Sequence, residues 1–413
     1  MKKKLMALLA VAVMLVFVLA ACAPKTDNTP TQTPGEAEAT PAPSDEASGD
    51  ADGGEILIGS IQDLSGAMAV AGKMTTWGVE RAVADINAAG GINGKTLKVV
   101  TYDCKLDPNE GVNAYNRLVD EGAVAIVGPA LSNIGIPIAA VSEEKKVPFV
   151  GQFMDERATI NEQTGEVWNY MFLAEPSCLQ QAQIMANYSV TELGIESVGI
   201  LYDSSNAYAA SHAGPFQDYV ESKGVEVVGV ETFGADAKDY KAQISKLMAK
   251  NPDGIFIPNY VNTNALAYVQ ARQLGYEGYI IGNNTYTPPF TTLVEGTPIE
   301  DLVFLFNLDM DSGNTKEITE AYREEVGEEP AFNIAFGYDD VMIIANALKN
   351  VSDVTDTVEI ADYIENNTKD VETASGTITL NPETHRPIGM GAYVADYDAE
   401  GNINLIGYYL PED

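Results

Sequence analysis

Short apolar runs rich in β-branched residues alternate with longer stretches of helical periodicity from Glu55 onward. In the first part of the chain, the pattern predicts strands at 56–61, 97–103, 124–127 and 147–150, separated by helices at 75–89, 109–121 and 134–144. Alternation of this kind requires right-handed crossovers. It therefore predicts a parallel sheet with helices on both faces.

The same alternation begins again after residue 178. Predicted helices at 179–192, 209–223, 240–249 and 263–274 alternate with strands at 197–202, 225–232, 254–258 and 279–282. The remainder predicts a strand at 302–308, three helices between 314 and 366, and strands at 376–380, 392–397 and 402–408. We therefore expect an α/β protein with two doubly wound parallel-sheet lobes, whose ligand site lies in a cleft at the carboxyl ends of the strands.

The N-terminus has the pattern of an export signal. Three lysines precede an apolar run from Leu5 to Ala21, which is too short for a typical membrane span and is followed by Cys22. The sequence Leu-Ala-Ala-Cys resembles a bacterial lipobox, in which the cysteine becomes the lipidated first residue. We predict a lipoprotein signal peptide over 1–21 and lipidation of Cys22; the alternative is a plain secretory signal.

Residues 22–54 contain no aromatic residue and no Val, Ile or Leu. A segment of this composition cannot bury a core, so the sequence predicts a disordered tether. Acylation at Cys22 would hold the following domain at a membrane. The expected location is the extracytoplasmic face of the cell membrane, with membrane contact only through the lipid anchor.

Charge limits the classes of partner. The chain carries 24 Lys and Arg against 60 Asp and Glu, a formal net charge of −36. Nucleic acid is excluded as a partner because binding to phosphates requires clustered cations. A small molecule is the expected ligand.

Residue types that support catalysis or metal binding are scarce. The chain has two histidines, His212 and His385, and three well separated cysteines. We predict no metal site, no cofactor and no disulfide framework, with Cys104 and Cys178 as separate buried thiols. Neither a GxSxG nor a GxGxxG motif occurs, so we expect a protein that is not an enzyme and has no catalytic residues.

Several short motifs together resemble one known family. The most specific is GVERAVADINAAGGINGK at 78–95. The others are Ile58-Gly59, Leu64-Ser65-Gly66, Tyr102-Asp103, Asp107-Pro108, residues 127–132, residues 147–149, Pro176, Gln180-Gln181, Tyr260, residues 270–272 and Leu274-Gly275. From Glu55 to the C-terminus, the chain resembles the branched-chain amino acid (Leu/Ile/Val) binding proteins of ABC transporters.

This resemblance implies a type I periplasmic binding protein fold, in which three crossovers join two lobes that close over one ligand. The implied N-terminal lobe comprises 55–173 and 304–372, and the C-terminal lobe comprises 174–303 and 373–413. The implied function is capture of a small amino acid, branched-chain or related, for ABC permease subunits. Two alternatives stay open: a non-amino-acid carboxylate ligand, and a ligand-sensing domain of a receptor or regulator, which would usually carry its own transmembrane helix or output domain.

The segment Leu131-Ser132-Asn133 follows a predicted strand and opens a helix. Free backbone N–H groups, the helix dipole and a short hydroxyl group suit a carboxylate. The resemblance places Ser132 at the ligand carboxylate. Alternatively, Ser132 or Asn133 caps its own helix, and the two roles are compatible.

Two loops depart from the family pattern. The resemblance aligns the loop containing Phe153 and Asp155 with a ligand loop in which a hydroxyl residue usually stands at the position of Asp155. It aligns Asn283 and Asn284 with a position where the family commonly has an acid that pairs with the ligand ammonium. We hypothesise that Asp155 supplies this charge instead, because an unpaired ammonium is costly to bury, while Asn284 contributes hydrogen bonds only. Alternatively, Asp155 caps the helix that begins near Arg157 and points to solvent.

Two tyrosines match positions where the resemblance implies aromatic rings over the ligand. These are Tyr208 and Tyr260. A tyrosine offers an apolar face and a hydroxyl group, which suits an amphipathic amino acid or a cation. The alternative is ordinary packing.

Overall fold

The computed structural model describes residues 54–412. The predicted signal peptide, Cys22 and nearly all of the predicted tether lie outside the described residues. Within residues 54–412, no helix is both long enough and apolar enough to cross a membrane.

The described chain alternates strands and helices. The strands are β1 Glu55–Gln62, β2 Thr96–Asp103, β3 Ile126–Val127, β4 Phe149–Gly151, β5 Met171–Leu173, β6 Ser197–Asp203, β7 Glu226–Phe233, β8 Gly254–Ile257, β9 Tyr279–Gly282, β10 Leu302–Phe306, β11 Val371–Thr373, β12 Gly376–Ile378, β13 Leu380–Asn381, β14 Arg386–Pro387, β15 Ala392–Tyr397 and β16 Ile403–Tyr409. The helices are α1 Ala69–Ala88, α2 Pro108–Asp120, α3 Ser132–Lys145, α4 Cys178–Thr191, α5 Ala207–Ser222, α6 Lys241–Met248, α7 Val261–Gln273, α8 Phe290–Leu293, α9 Gly313–Val326, α10 Asn333–Asn350 and α11 Thr357–Asn367, with a short 3-10 helix at Glu156–Ala158.

Two sheets organise these elements. The first has the order β2-β1-β3-β4-β5, and all its neighbouring strands are parallel. The second has the order β16-β15-β10-β9-β8-β6-β7, in which β6 to β10 are parallel and β15 and β16 are antiparallel. The predicted α/β class with two doubly wound, mainly parallel sheets is confirmed.

Local sequence signals explain where several helices begin. The Asp107 carboxylate accepts hydrogen bonds from the first-turn N–H groups of Asn109 and Glu110 in α2. Ser177 and Gln180 form a reciprocal capping box at the start of α4. Because these caps follow strand ends, they direct helix N-termini toward the same edge of each sheet.

Helix α10 returns to the first lobe and packs closely on α1. A Cβ atom at Gly78 would lie 2.0 Å from the carbonyl oxygen of Ile334, and one at Gly337 would lie 2.1 Å from that of Thr75. Only glycine fits at these two positions. The close contact fixes the start of α10, including Phe332 and Asn333, beside the start of α1.

The chain passes between the sheets three times, after β5, after β10 and after β14. The expected boundary at 304 falls within β10, which belongs to the second sheet. The expected boundary at 373 falls in the β11–β12 hairpin, whose Ile378 packs in the core of the first lobe with Ile360 of α11. The His385 carbonyl group, in the loop between β13 and β14, also accepts a hydrogen bond from Leu173 of β5.

We therefore propose that the third crossing lies at 388–391. The sequence pattern did not place it there, because alternation predicts short antiparallel strands without showing which lobe they pack on. Both described cysteines, Cys104 and Cys178, are buried and free.

Candidate functional site

A cavity lies between the two sheets; together with the open solvent at its mouth, its empty space is about 910 Å³. Its walls come from the end of β1 and the start of α1, the loop after β3, Met154, the start of α10, Tyr208, the start of α7 and the loop after β9. Most of these segments follow strand ends or begin helices, as expected for a ligand site in parallel sheets.

Most of the cavity wall is apolar. Its apolar and aromatic members are Ala67, Met68, Val70, Ala71, Gly72, Met74, Pro129, Ala130, Leu131, Met154, Tyr208, Tyr260, Val261, Pro288, Pro289 and Phe332. A wall of this composition favours a ligand with an apolar body and few polar groups.

The start of α3 presents its first turn near this cavity. Leu131 is the N-cap residue and lines the cavity, and no side chain caps the helix. The first-turn N–H groups of α3 therefore lack side-chain acceptors from a cap. Ser132 is buried behind the wall, where its hydroxyl oxygen accepts a hydrogen bond from the N–H of Asp155 at 3.2 Å.

Asn133 faces the second lobe. Its side-chain oxygen accepts a hydrogen bond from the N–H of Ala207, the first residue of α5, at 3.0 Å. A second contact across the cleft runs from the amide nitrogen of Asn262 to the Ala67 carbonyl oxygen at 3.5 Å. These contacts show that the two lobes touch across the cleft.

Asp155 is buried and paired within its own loop. Its Oδ1 accepts hydrogen bonds from the backbone N–H and the Nε of Arg157, at 3.0 and 2.9 Å, and its Oδ2 accepts one from Nη2 at 2.5 Å. These bonds raise the pKa of the Arg157 guanidinium. Asp155 thus begins the 3-10 helix, as the capping alternative expects, but it is buried and is not part of the cavity wall.

Phe153 also lies away from the cavity. It is fully buried in the core of the first lobe and stacks on Phe149 with the ring centroids 5.3 Å apart. The next residue, Met154, lines the cavity instead. Both are large apolar residues in an irregular loop, so no periodicity in the sequence could separate their roles.

The two predicted tyrosines meet at the cavity. The Tyr208 and Tyr260 rings stack with centroids 5.2 Å apart and an interplanar angle of 17°. The Tyr208 hydroxyl group donates to Oδ1 of Asn284, whereas the buried Tyr260 hydroxyl group has no hydrogen-bond partner in the described chain. Burial raises the pKa of both phenols, so both stay neutral.

The side chain of His212 packs against Tyr208. Its Nδ1 lies 2.8 Å from the Tyr208 carbonyl oxygen, and the two rings are 4.5 Å apart. Burial lowers the pKa of His212 to about 4, so the imidazole is neutral near pH 7. The ring therefore packs without adding charge near the cavity.

The two asparagines after β9 differ in position. The Asn283 side chain is buried in the loop, where its oxygen accepts a hydrogen bond from the Thr285 hydroxyl group at 2.8 Å. Asn284 lines the cavity, and its amide nitrogen lies 3.9 Å from the Met154 sulfur. Asn283 stabilises the loop, and Asn284 faces the cavity.

Asp63 is a cavity residue that sequence reasoning missed. It directly follows β1, and its carboxylate accepts hydrogen bonds from the N–H groups of Gly66 at 2.6 Å and Met68 at 2.8 Å. Its place at the carboxyl end of a strand was the available signal. Within residues 54–412, no group of three or more His, Cys, Asp or Glu side chains is placed to hold a metal ion.

A family model described as periplasmic binding protein matches residues 55–402. The chain belongs to the periplasmic binding protein family. Among curated members, the Leu/Ile/Val-binding protein homolog 3 of Brucella melitensis is 25% identical over 328 residues, which cover 79% of this chain and 87% of the relative. The resemblance seen in the motifs is confirmed.

Solved structures of periplasmic binding proteins agree with this assignment. The branched-chain amino acid transporter substrate binding protein LivJ from Streptococcus pneumoniae, in complex with isoleucine, has a TM-score of 0.77 and 28% identity, covering 86% of this chain and all of that chain. A solute binding protein of an ABC transporter from R. palustris, in complex with benzoate, has a TM-score of 0.76 and 15% identity, covering 87% of this chain and 97% of that chain. The second likeness concerns the fold alone.

Proposed function

We propose that this protein is the extracytoplasmic solute-binding component of an ABC importer and captures a small apolar amino acid, branched-chain or related, between its two lobes. The observation that carries this proposal is the mainly apolar cavity between the sheets, bordered by the uncapped start of α3 and by Tyr208 and Tyr260. The names of the relatives, Leu/Ile/Val-binding protein and LivJ, support the same ligand class.

In this proposal, the ligand carboxylate lies at the first turn of α3. Backbone N–H groups and the positive end of the helix dipole favour an anion there. The apolar side chain of the ligand would occupy the space between Met74, Met154 and Phe332. The stacked tyrosines of the second lobe would cover it from the opposite side.

Ligand binding would stabilise the closed arrangement of the lobes. A ligand shifts such an equilibrium only by its differential affinity for the two states. A solute that touches both Leu131 and Tyr260 makes its full set of contacts only when the lobes are closed. The ABC permease subunits would then receive the closed, loaded protein.

A carboxylate without an ammonium group is a second candidate ligand. The observation that favours it is that Asn284, which faces the cavity, is an amide and not an acid. A structural neighbour that shares the fold was solved in complex with benzoate, a carboxylate without an ammonium group, which supports this candidate.

We also propose anchoring through an acylated Cys22. The test is to express the full chain and its Cys22→Ser variant in a bacterial host and to separate membranes from soluble material. The anchored protein should sediment with membranes and incorporate labelled fatty acid. Equal sedimentation of the two proteins would contradict the anchor.

The ligand assignment is tested with residues 22–413 carrying Cys22→Ser, unfolded and refolded to remove bound solute. Melting temperatures are then recorded with a panel of amino acids and small carboxylates. A ligand at 100 times its dissociation constant stabilises the folded state by about 2.7 kcal/mol, a shift of a few degrees for a protein of this size. The proposal requires a shift with an apolar amino acid or a related carboxylate; a panel without any shift would contradict it.

A further inference from the structure

The cavity wall of the described chain contains a single charged side chain. Asp63 is the only acid or base among the cavity-lining residues of the described chain. It is 1% exposed, and it forms no ion pair with a Lys, Arg or His side chain of residues 54–412. The cavity therefore has one negative group and no positive side chain in its wall.

The two hydrogen bonds that the Asp63 carboxylate accepts leave some of its acceptor sites unoccupied. Each carboxylate oxygen accepts one backbone N–H, from Gly66 and Met68 respectively. An ionised carboxylate offers about four acceptor sites, so about two remain. A buried carboxylate without a counter-ion is unfavourable, and a cationic group on the ligand would supply the missing charge.

The other candidates for this role are already engaged. The Asp155 carboxylate is held by the Arg157 guanidinium and lies outside the cavity wall. The Asn284 side-chain oxygen accepts from the Tyr208 hydroxyl group, which leaves its amide N–H groups as donors. An ammonium group is a hydrogen-bond donor and needs a negatively charged acceptor. Neither residue offers an unpaired negative charge.

The position of Asp63 also fits an α-amino acid. Strands β1 and β3 are neighbours, and the Gln62 amide nitrogen bonds to the Gly128 carbonyl oxygen at 3.2 Å, which joins their ends. Neighbouring strands lie about 4.8 Å apart. Asp63 therefore lies beside the segment that leads into α3, where the ligand carboxylate is expected. Ammonium and carboxylate groups on one carbon can reach two such neighbouring sites.

We propose that Asp63 receives the ammonium group of the ligand and selects α-amino acids over the corresponding carboxylates. This inference rests on the proposed function and assigns its charge selectivity to one residue. The stacked rings of Tyr208 and Tyr260 line the same cavity as Asp63. The Tyr260 hydroxyl oxygen is an additional unpartnered acceptor for the same group.

The test compares leucine with 4-methylpentanoate, which has the same carbon skeleton and carboxylate but lacks the ammonium group. Isothermal titration calorimetry is performed on the refolded protein and on Asp63→Asn. We expect the wild-type protein to bind leucine at least tenfold more tightly than 4-methylpentanoate. In Asp63→Asn, the leucine dissociation constant should rise by about tenfold to a hundredfold, while that of 4-methylpentanoate stays constant or falls.

The ratio of the two dissociation constants separates charge recognition from damage to the loop. Disruption of the Gly66 and Met68 hydrogen bonds would weaken both ligands together and leave the ratio unchanged. An unchanged ratio in Asp63→Asn overturns the inference. If that variant does not fold, equal binding of the two compounds by the wild-type protein overturns it, and a tenfold preference for leucine supports it.

The outcome also distinguishes this inference from the proposed function. Binding of 4-methylpentanoate but not leucine would overturn the role of Asp63 and leave the solute-binding function in place. Binding of neither these two compounds nor any other panel member would overturn both.

Discussion

The side-chain oxygen of Asn133 accepts a hydrogen bond from the backbone N–H of Ala207 at 3.0 Å and thereby joins α3 of one lobe to α5 of the other. The same helix, α3, begins at the cavity wall. A residue expected to contact the ligand thus contributes a direct contact between the lobes. Separation of the two lobes would break this contact, so we expect it to favour the closed cleft.

Replacement of Asn133 by alanine should weaken ligand binding by removing a bond of the closed state. A hydrogen bond contributes about 1 kcal/mol, so the dissociation constant should rise roughly fivefold. Asn366→Ala is the matched control, since Asn366 is exposed on α11 and bonds only to Asp362 within its own helix. Equal affinities for the two variants, measured by calorimetry, would contradict a role of Asn133 in closure.

The paired tyrosines should respond differently to loss of their hydroxyl groups. Tyr208→Phe leaves the Asn284 oxygen without its donor and should lower the free energy of unfolding by about 1–3 kcal/mol. Tyr260→Phe breaks no hydrogen bond within the described chain and should change stability by less than about 0.5 kcal/mol. Urea unfolding of both variants without ligand checks this, and an equal loss in both would argue against the assigned bonds.

Asp155→Asn should act on stability more than on ligand selectivity. It breaks the ion pair with Arg157, whose side chain is 37% exposed, so solvent screening limits the loss to about 1–2 kcal/mol. Because Asp155 lies outside the cavity wall, the ratio of leucine to 4-methylpentanoate affinity should stay unchanged. If the variant is folded but no longer binds leucine more tightly than 4-methylpentanoate, the result would instead support Asp155 as the partner of the ligand ammonium.

A buried carboxylate of α10 should make stability depend on pH. Asp340 is fully buried, and neither of its oxygens has a hydrogen-bond partner in the described chain. Burial raises its pKa well above the ordinary value of 3.8, and the charge of Asp339 acts in the same direction. The groups that face it are Gln152, Asp339 and, at longer range, Glu175.

The sign of the dependence follows from proton binding. The folded state keeps the Asp340 proton to higher pH than the unfolded state does. As pH rises above about 4, the unfolded chain binds fewer protons than the folded one, and the free energy of unfolding falls. Asp340→Asn should remove this contribution, with little change at pH 4 and a gain of about 1–3 kcal/mol at pH 7.

The measurement is urea unfolding at several pH values, with Asp362→Asn as the control. Asp362 is exposed on α11, so its replacement should leave the pH dependence as in the wild-type protein. A parallel pH dependence for Asp340→Asn and the wild-type protein would show that Asp340 is ionised in the fold.

The sequence predicted the parallel parts of the two sheets because most of their strands are separated along the chain by helices with an amphipathic pattern or a capping residue. It did not predict the place of Ile378, whose hairpin reads as part of the C-terminal strands but packs on the first lobe. Alternation along a short strand reports which face is buried, not which sheet or lobe covers it. Strand alternation therefore could not correct the boundary at 373 that the family resemblance implied.

Four of the residues predicted for the site line the cavity: Leu131, which the strand-to-helix pattern indicated, and Tyr208, Tyr260 and Asn284, which the family resemblance implied. The contacts of residues in irregular loops were harder to predict, because no sequence periodicity relates the direction of a side chain to its position in such a loop. Phe153 and Met154 therefore could not be distinguished, and Asp63, which belongs to none of the motifs or candidate residues predicted from the sequence, was missed. Arg157 was treated as a helix signal, although its side chain neutralises Asp155.

The three crossings also determine how much of the chain must be present before each lobe can be completed. The first lobe needs α10 and the hairpins up to Pro387, and the second needs β15, which pairs with the central strand β10. A chain that becomes available from its N-terminus cannot complete either lobe until nearly all of its residues are present. Loss of the final strands would leave an open edge on β10.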